Sequence, residues 1–406
     1  MRRILIAALG LLGGLGALEA RTILLKPGRD DTTRLQQALI DARPGDTVRL
    51  AAGTYRLTMG LSLDVDGVTV RGAGPGRTIL DFSGQEGAGE GLLITSSRVW
   101  VTGLTVRDPR GDGIKSKGSD RVSFTDLEVV WSGGPKSTNG AYGVYPVESS
   151  NVLIDRVTVR GASDTGIYVG QSRHVVVRRS LAEYNVAGIE IENSQHADVH
   201  DNLVQHNTGG ILVFDLPDLP VKDGHSTRVF RNRVLANDTP NFAPPGNIVA
   251  QVPVGTGIMV MANRRVEVVD NEVDGNASAA VMVIAYSRPF TDARYNPLPR
   301  DVVVRGNRLG RNGFAPAFPG GADVAAAVGG TLPPVVWDGV TRFRRGEALV
   351  AEPVRLWVDA PAMTLGLGEA GAAPQAARPG PLASPADPPP PDLAPVILPE
   401  DQPGGR

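Results

Sequence analysis

Apolar and polar positions along the 406-residue chain recur with two nested periods. The longer one is set by a small residue followed by a branched or apolar one. These pairs are Gly91-Leu92, Gly113-Ile114, Gly143-Val144, Gly166-Ile167, Gly188-Ile189, Gly210-Ile211, Gly257-Ile258 and Ala280-Val281. Successive spacings are 22, 30, 23, 22, 22, 47 and 23 residues. Five of the seven therefore describe one coil of about 22 residues, and the other two mark insertions at one loop. The shorter period is two. Segments such as Ile167-Tyr-Val-Gly, Ile189-Glu-Ile-Glu and Ile258-Met-Val-Met alternate inward and outward side chains, as β-strands do. A second apolar pair follows at Val122/Phe124, Val152/Ile154, Val175/Val177, Ala197/Val199 and Val266/Val268. A third segment closes several coils, as in Val157/Val159 and Leu203-Val204. Three short strands cannot bury an apolar face alone, but stacked coils give a continuous core. The pattern predicts an all-β fold, a three-sheet parallel β-helix.

Asparagine follows the same register. Asn185, Asn207 and Asn276 sit nineteen residues after their small residue, and Asn202 and Asn271 fourteen after theirs. Asparagine tolerates left-handed backbone and can bond to an equivalent residue one coil away, so these positions predict ladders at inward turns. Residues 31–42 read as a short amphipathic helix, with Asp31 or Thr32 as its N-cap and Leu35, Ala38 and Leu39 inward. It is expected to cap the exposed edge of the first coil.

The chain divides on this reading into five parts. Residues 1–20 are a signal peptide, 21–90 the N-terminal cap and first coils, and 91–320 the β-helix repeats. Residues 321–365 form a C-terminal cap, and 366–406 a disordered tail rich in Pro, Ala and Gly, with Pro388-Pro-Pro-Pro inside it. The signal is read from Arg2 and Arg3, the apolar run Ile4–Leu18 and the small residue Ala20. It predicts an exported protein, periplasmic or extracellular, with no membrane span after cleavage.

Composition narrows the chemistry. With no cysteine there is no disulfide framework and no thiolate catalysis. A formal net charge of −2 gives no global attraction to nucleic acid, and oligomeric state is not readable.

The stretch from Asp31 through Leu35-Gln-Gln-Ala, Pro44-Gly-Asp-Thr-Val, Ala52-Gly-Thr-Tyr and Val68-Thr-Val-Arg-Gly-Ala-Gly resembles the N-terminal cap and first coils of pectin-lyase-like proteins. The repeats from Gly91 to about Asn312 resemble their right-handed parallel β-helix. That resemblance covers about three-quarters of the chain and implies the fold. It does not imply one activity, because the superfamily holds lyases, hydrolases, epimerases and binding proteins. Tyr142-Gly-Val-Tyr-Pro-Val-Glu148 is similar to the strand that carries catalysis in alginate C5-epimerases, with Tyr142, Gly143 and Pro146 matching. Tyr145 and Val147 stand where that family has its Asp and His, so the usual proton-transfer group is missing. Asp223-Gly-His225-Ser lacks the polygalacturonase pattern, and Ser287-Arg-Pro289-Phe-Thr-Asp-Ala-Arg lacks the pectate-lyase spacing.

The strand after each small residue presents two outward columns. The first is Lys115, Tyr145, Tyr168, Glu190, Leu212, Met259 and Met282. The second is Lys117, Val147, Gly170, Glu192, Phe214, Met261 and Ile284. Lys115, Lys117, Tyr145, Tyr168, Glu190 and Glu192 are the candidate substrate-binding residues, and Tyr145, Tyr168 and Lys115 the candidate catalytic ones. Lysine would neutralise the carboxylate of an acidic sugar, tyrosine would stack on a ring or exchange a proton, and Gly170 would leave room. Insertions at 131–142 and 215–256 would wall the groove. The apolar half of the face is expected to be covered by the long insertion or the tail. His174 and His196 share a repeat position and are expected to stack. No cofactor is called for; calcium through Asp215, Asp218 and Asp223 is the one metal option the acidic loop offers. The function expected is an exported protein that binds or modifies polysaccharide, acidic for preference, along this face. If it is an enzyme, the chemistry is lyase- or epimerase-like. The alternative is a non-catalytic envelope scaffold or interaction module.

Overall fold

A computed structural model describes residues 20–87, 89–400 and 402. The export signal expected at 1–20 lies outside these residues except for Ala20. One sheet carries twelve strands, ordered as in the chain. They are β1 (Leu61–Leu63), β2 (Leu92–Ile94), β3 (Ile114–Lys117), β4 (Tyr142–Val147), β5 (Thr165–Gly170) and β6 (Ala187–Glu192). There follow β7 (Gly209–Phe214), β8 (Thr256–Met261), β9 (Ala279–Ile284), β10 (Val335–Trp337), β11 (Ala362–Thr364) and β12 (Gly380–Pro381). Each pairs with the next in parallel except the final pair, which is antiparallel. Strands such as Ser150–Arg160 run unbroken through the other two faces, whereas later coils split at the bend, as in Arg173–Arg178 and Leu181–Glu183.

The small residue of each repeat is required by the interior. A Cβ on Gly143 would lie 2.3 Å from a methyl of Val159, and one on Gly188 2.4 Å from a methyl of Val204. Both methyls belong to the packed interior, so any side chain there collides with the core. The residue after the glycine also points inward. Ile114, Val144, Ile167, Ile189, Ile211, Ile258 and Val281 are all fully buried, and they stack on Val, Leu and Ile from the other faces. Burying each such side chain stabilises the fold by ~1.5–3 kcal/mol.

Two asparagine ladders run through the turns, and both are longer than the repeat predicts. One joins Asn185, Asn207, Asn237, Asn276 and Asn312 by side-chain bonds of 3.0–3.1 Å. The other joins Asn202, Asn232, Asn271 and Asn307 at 2.9–3.0 Å. Asn232 and Asn237 show that 215–256 is not one insertion. Strands His225–Phe230 and Arg233–Leu235 inside it are ordinary coil, paired in register on both sides. Two separate loops, before and after this coil, stretch the 47-residue interval.

The coils also continue past the expected boundary. β10 and β11 extend the sheet, and Leu356–Val358 pairs in parallel with the Arg300–Arg305 strand. Long loops between these strands, carrying the helix α2 (Gly321–Ala327), hide the spacing. At the other end, helix α1 (Asp31–Ile40) buries Leu35, Ala38 and Leu39 as its periodicity requires. Its N-cap is Asp30, in the left-handed region at φ 53°, rather than Asp31 or Thr32. The Asp31 carboxylate instead accepts the N–H groups of Gly28 and Arg56 at 2.8 and 3.1 Å.

The described part of the tail expected to be disordered is laid along the stack. One outward column of the adjacent face reads Ser123, Leu153, Val176, Asp198, Arg228, Glu267, Val303 and Trp357. The tail follows that column backwards. Asp387 accepts from the Trp357 indole at 2.8 Å, and Leu393 N–H donates to Glu267 at 2.7 Å. Val396 N–H donates to Asp198 at 3.0 Å, and Leu398 packs on Leu153 and Val176. Gln402 then donates to Ser123 and to the carbonyls of Val122 and Asn151. A proline-rich strand needs no partner strand when waiting side chains satisfy its backbone.

Candidate functional site

The two outward columns form as read. Lys115 lies opposite Tyr145, Tyr168 opposite Glu190, Glu190 opposite Leu212, and Leu212 opposite Met259. Lys117, Val147, Gly170, Glu192, Phe214, Met261 and Ile284 form the second. Side chains of neighbouring coils are thus held at strand spacing, ~4.8 Å apart.

A third column escaped the alternation. Because glycine and the residue after it both point inward, the alternation restarts at the bend, and the residue before the glycine points outward. Tyr142, opposite Thr165, belongs to this column. Its ring centroid lies 4.6 Å from that of Tyr145 and 4.4 Å from that of Tyr168, and Tyr145 meets Tyr168 edge-on at 4.9 Å. Three aromatic rings therefore form one cluster. Carrying the period back through the bend, with glycine counted as inward, would have found Tyr142.

Lys115 is not free to meet an anionic ligand. Its ammonium donates to Glu90 at 3.1 Å and to Asp112 at 3.5 Å, and sits 4.7 Å above the Tyr145 ring. Lys117 is exposed, with no ion pair among the described residues. Gly170 leaves no opening either: a Cβ there would lie 2.6 Å from the Tyr168 ring, which occupies the space.

Towards β6 the face is sealed. Tyr168, Glu190 and Glu192 are 5%, 1% and 6% exposed. Asn247, on the loop before β8, donates to Asp164 at 2.9 Å, and Asn193 bonds to the backbone of Leu216 and Val221 on the loop after β7. Beneath these loops the carboxyls are hard to ionise. Burial, reinforced by Glu192 and Asp164, pushes Glu190 well above the ordinary carboxylate range. Its Oε2 accepts from Thr165 at 2.8 Å, while Oε1 is buried with no partner. Glu192 is pushed up to about 7 by burial, although the Tyr168 hydroxyl donates to it at 2.6 Å. Burial raises Asp164 to about 6 and Asp215 to about 7. The Tyr142 and Tyr145 hydroxyls, at the half-buried end, bond to no protein group among the described residues.

Beyond Glu192, Asp215 opens on a polar cavity of about 350 Å³ lined by Asp223, Arg294, Tyr295, Arg300, Arg345 and Glu352, among others. Asp223 is held by Arg264 at 2.5 and 2.6 Å, and Glu352 by Asn296. Arg300 faces Asp223 at 3.5 Å and Glu352 at 4.0 Å, whereas Arg294 and Arg345 form no ion pair among the described residues.

Residues 90–238 match the family model described as right handed beta helix region. Among solved structures, the mannuronan C-5 epimerase AlgE4 A-module of Azotobacter vinelandii aligns at 14% identity and a TM-score of 0.51. That alignment covers 86% of this chain and 99% of the other. The chain folds as a right-handed parallel β-helix. The AlgE6 A-module of the same organism aligns with this β-helix at 17% identity and a TM-score of 0.48, covering 82% of this chain and 93% of that one. An alginate lyase from Paenibacillus sp. str. FPU-7 aligns at 17% and 0.40, covering 73% and 97%. No curated protein matches the sequence significantly.

Of the five histidines, His174, His196, His200 and His225 lie in strands of the other faces and His206 in the bend after Leu203–Gln205. His174 and His196 stack at 5.6 Å, and His225 meets His196 edge-on at 5.2 Å. Among the described residues no three His, Asp or Glu side chains converge as metal ligands, and Asp223 is taken up by Arg264. No described helix is long and apolar enough to cross a membrane.

Proposed function

We propose that this is an exported protein, periplasmic or extracellular, that binds polysaccharide along the outer face of β3 to β6. The observation that carries the reading is the tyrosine cluster. The rings of Tyr142 and Tyr145 are half-buried and carry uncommitted hydroxyls, as a platform for sugar rings requires, and the exposed Lys117 lies on the adjacent coil opposite Val147. The fold is also that of the mannuronan epimerase module described above, and it supports a sugar ligand at the level of analogy. A preference for an acidic polymer rests on Lys117 and on the arginines beyond Asp215, since Lys115 is already neutralised.

Catalysis of the lyase or epimerase kind would use the Tyr168–Glu192 pair as proton relay, with the ligand's own hydroxyls bridging it to Tyr145 or Tyr142, whose rings pack against Tyr168. The sealing of Tyr168, Glu190 and Glu192 favours a second reading, a non-catalytic envelope platform that binds its ligand and leaves it unchanged.

The test is titration of the full chain with polymannuronate, polygalacturonate and neutral dextran, followed by calorimetry and by assays for unsaturated ends and altered sugar stereochemistry. Binding of a polyuronate, lost in Tyr142→Ala and Tyr145→Ala variants that melt like the parent, is expected. Binding with no product selects the platform reading, and no binding to any polymer overturns both. Fractionating the host cells checks export; retention of the intact chain in the cytoplasm overturns it.

A further inference from the structure

The apolar half of the same sheet is covered, but not closed. Phe214, Met259, Met261, Met282 and Ile284 floor a cleft of about 520 Å³. Its walls come from the loop before β8 (Ile248, Val252), from Phe318 and Val324 at α2, and from Leu365 and Leu367 after β11. That volume falls within the ~300–1,000 Å³ of small-molecule sites, and the lining has their composition, mostly apolar with few polar groups. We infer that this cleft binds a single-chain amphiphile, an apolar tail carrying an anionic head group.

Side-chain choice separates the cleft from ordinary core. The interior of the coils is built from Val, Leu, Ile, Ala and aromatic residues, and no methionine occurs in it among the described residues. The cluster around the cleft holds Met259, Met261, Met282 and Met363, four of the six methionines in the chain. Unbranched thioether side chains suit a surface that must repack around a flexible ligand, whereas β-branched residues suit a fixed stack.

Charge at the rim selects the head group. Arg288 lines the cleft and is held by the side-chain carbonyl of Gln251 at 3.2 Å and by the backbone carbonyls of Gly246 and Asn247 at 3.4 and 3.3 Å. It has no carboxylate partner among the described residues. Carbonyls orient the guanidinium without neutralising it, so its charge remains for an oxyanion. Of the other ionisable groups in the lining, Tyr286 is a neutral phenol, and Asp338 is buried with its oxygens accepting the N–H groups of Ala285 and Val340 at 2.7 and 3.0 Å. Its carboxylate oxygens are turned to the backbone beneath the floor, whereas the Arg288 guanidinium lies at the half-buried rim, so the cation is the charge that a ligand head group meets.

The experiment titrates the full chain with dodecanoate, dodecyl maltoside and dodecylamine below their micelle-forming concentrations, using calorimetry and displacement of an apolar dye. One dodecanoate per chain is expected, with dodecylamine at least about tenfold weaker. Arg288→Gln should weaken dodecanoate about tenfold and leave dodecyl maltoside unchanged. Met282→Trp, which fills the floor, should abolish binding of all three; if it fails to fold, Val324→Trp blocks the trough from the wall instead. No saturable binding, or binding unchanged when the trough is blocked, overturns the site. Equal affinity for dodecanoate and dodecylamine overturns the anionic head group. Polyuronate binding at the tyrosine cluster is read separately and does not bear on this result.

Discussion

The two halves of one sheet make an instructive pair. β3 to β6 and β7 to β9 share a backbone register, a coil length and the same inward isoleucines and valines. Their outward columns differ in character: Lys, Tyr and Glu with Val147 and Gly170 on one side, Leu, Phe, Met and Ile on the other. Glu190 and Leu212 are cross-strand neighbours at the junction, and both are almost fully buried. For Leu212 burial is favourable; for Glu190 it is a cost met by keeping the proton. The strand pattern therefore sets which side chains share a face, while the loops laid over that face decide what sharing it costs.

The strongest way to break the comparison is to carry the acidic column one coil further. Leu212→Glu buries a charge with no partner, and a loss of about 3–5 kcal/mol is expected in urea unfolding, enough to lower the melting point severely. A chain that tolerates it would show that the covering loops open readily.

Next comes pH. Burial pushes Glu192, Asp164 and Asp215 up to about 7, 6 and 7 in the folded chain, and Glu190 too is held well above the ordinary carboxylate range. The folded state thus holds protons that the unfolded state has released. Their contribution to stability is complete below the usual carboxylate range and is lost as pH rises through about 7. Melting points should fall between about pH 5 and pH 8, and the Glu190→Gln/Glu192→Gln double variant should remove part of that slope, on the order of 3 kcal/mol. An unchanged slope would show that these carboxyls are solvated.

Tyr168→Phe probes the relay more gently. It removes one buried hydrogen bond to Glu192, for a loss of about 1–2 kcal/mol. Because that bond favours the ionised carboxyl, the Glu192 titration should move to higher pH, which carbon-13 NMR of the labelled carboxyl would detect. The smallest effect is at the open end. Lys117→Ala should alter stability by no more than ~0.5 kcal/mol while weakening polyuronate binding.

Much of this architecture was readable because a solenoid repeats its own instructions. Gly166, Gly188 and Gly210 mark one bend each, and the period of two after them places Tyr145, Tyr168, Glu190 and Glu192 on the outer face. Tyr142 was missed because the alternation breaks at the bend. The coil at 225–237 was hidden because loops on both sides of it destroyed the spacing, although Asn232 and Asn237 were in place. The tail misled for a different reason. Its prolines carry no periodic signal, and its partners are Leu153, Val176, Asp198, Glu267 and Trp357, scattered over two hundred residues. Those outward apolar residues on a solvent-facing column were the clue that something must cover them.

The sequence by itself determined the stack: coil length, inward positions, asparagine rungs and the order of outward side chains. These follow from local periodicities of the backbone, and each coil needs only its neighbours. Only the tertiary structure decided that Lys115 is spent on Glu90 and Asp112, that Tyr168 fills the space at Gly170, and that Glu190 is sealed. It also decided that the methionines floor a cleft. Such outcomes depend on where non-repeating loops and the tail come to rest, and no period in the sequence encodes the contacts of segments that do not repeat.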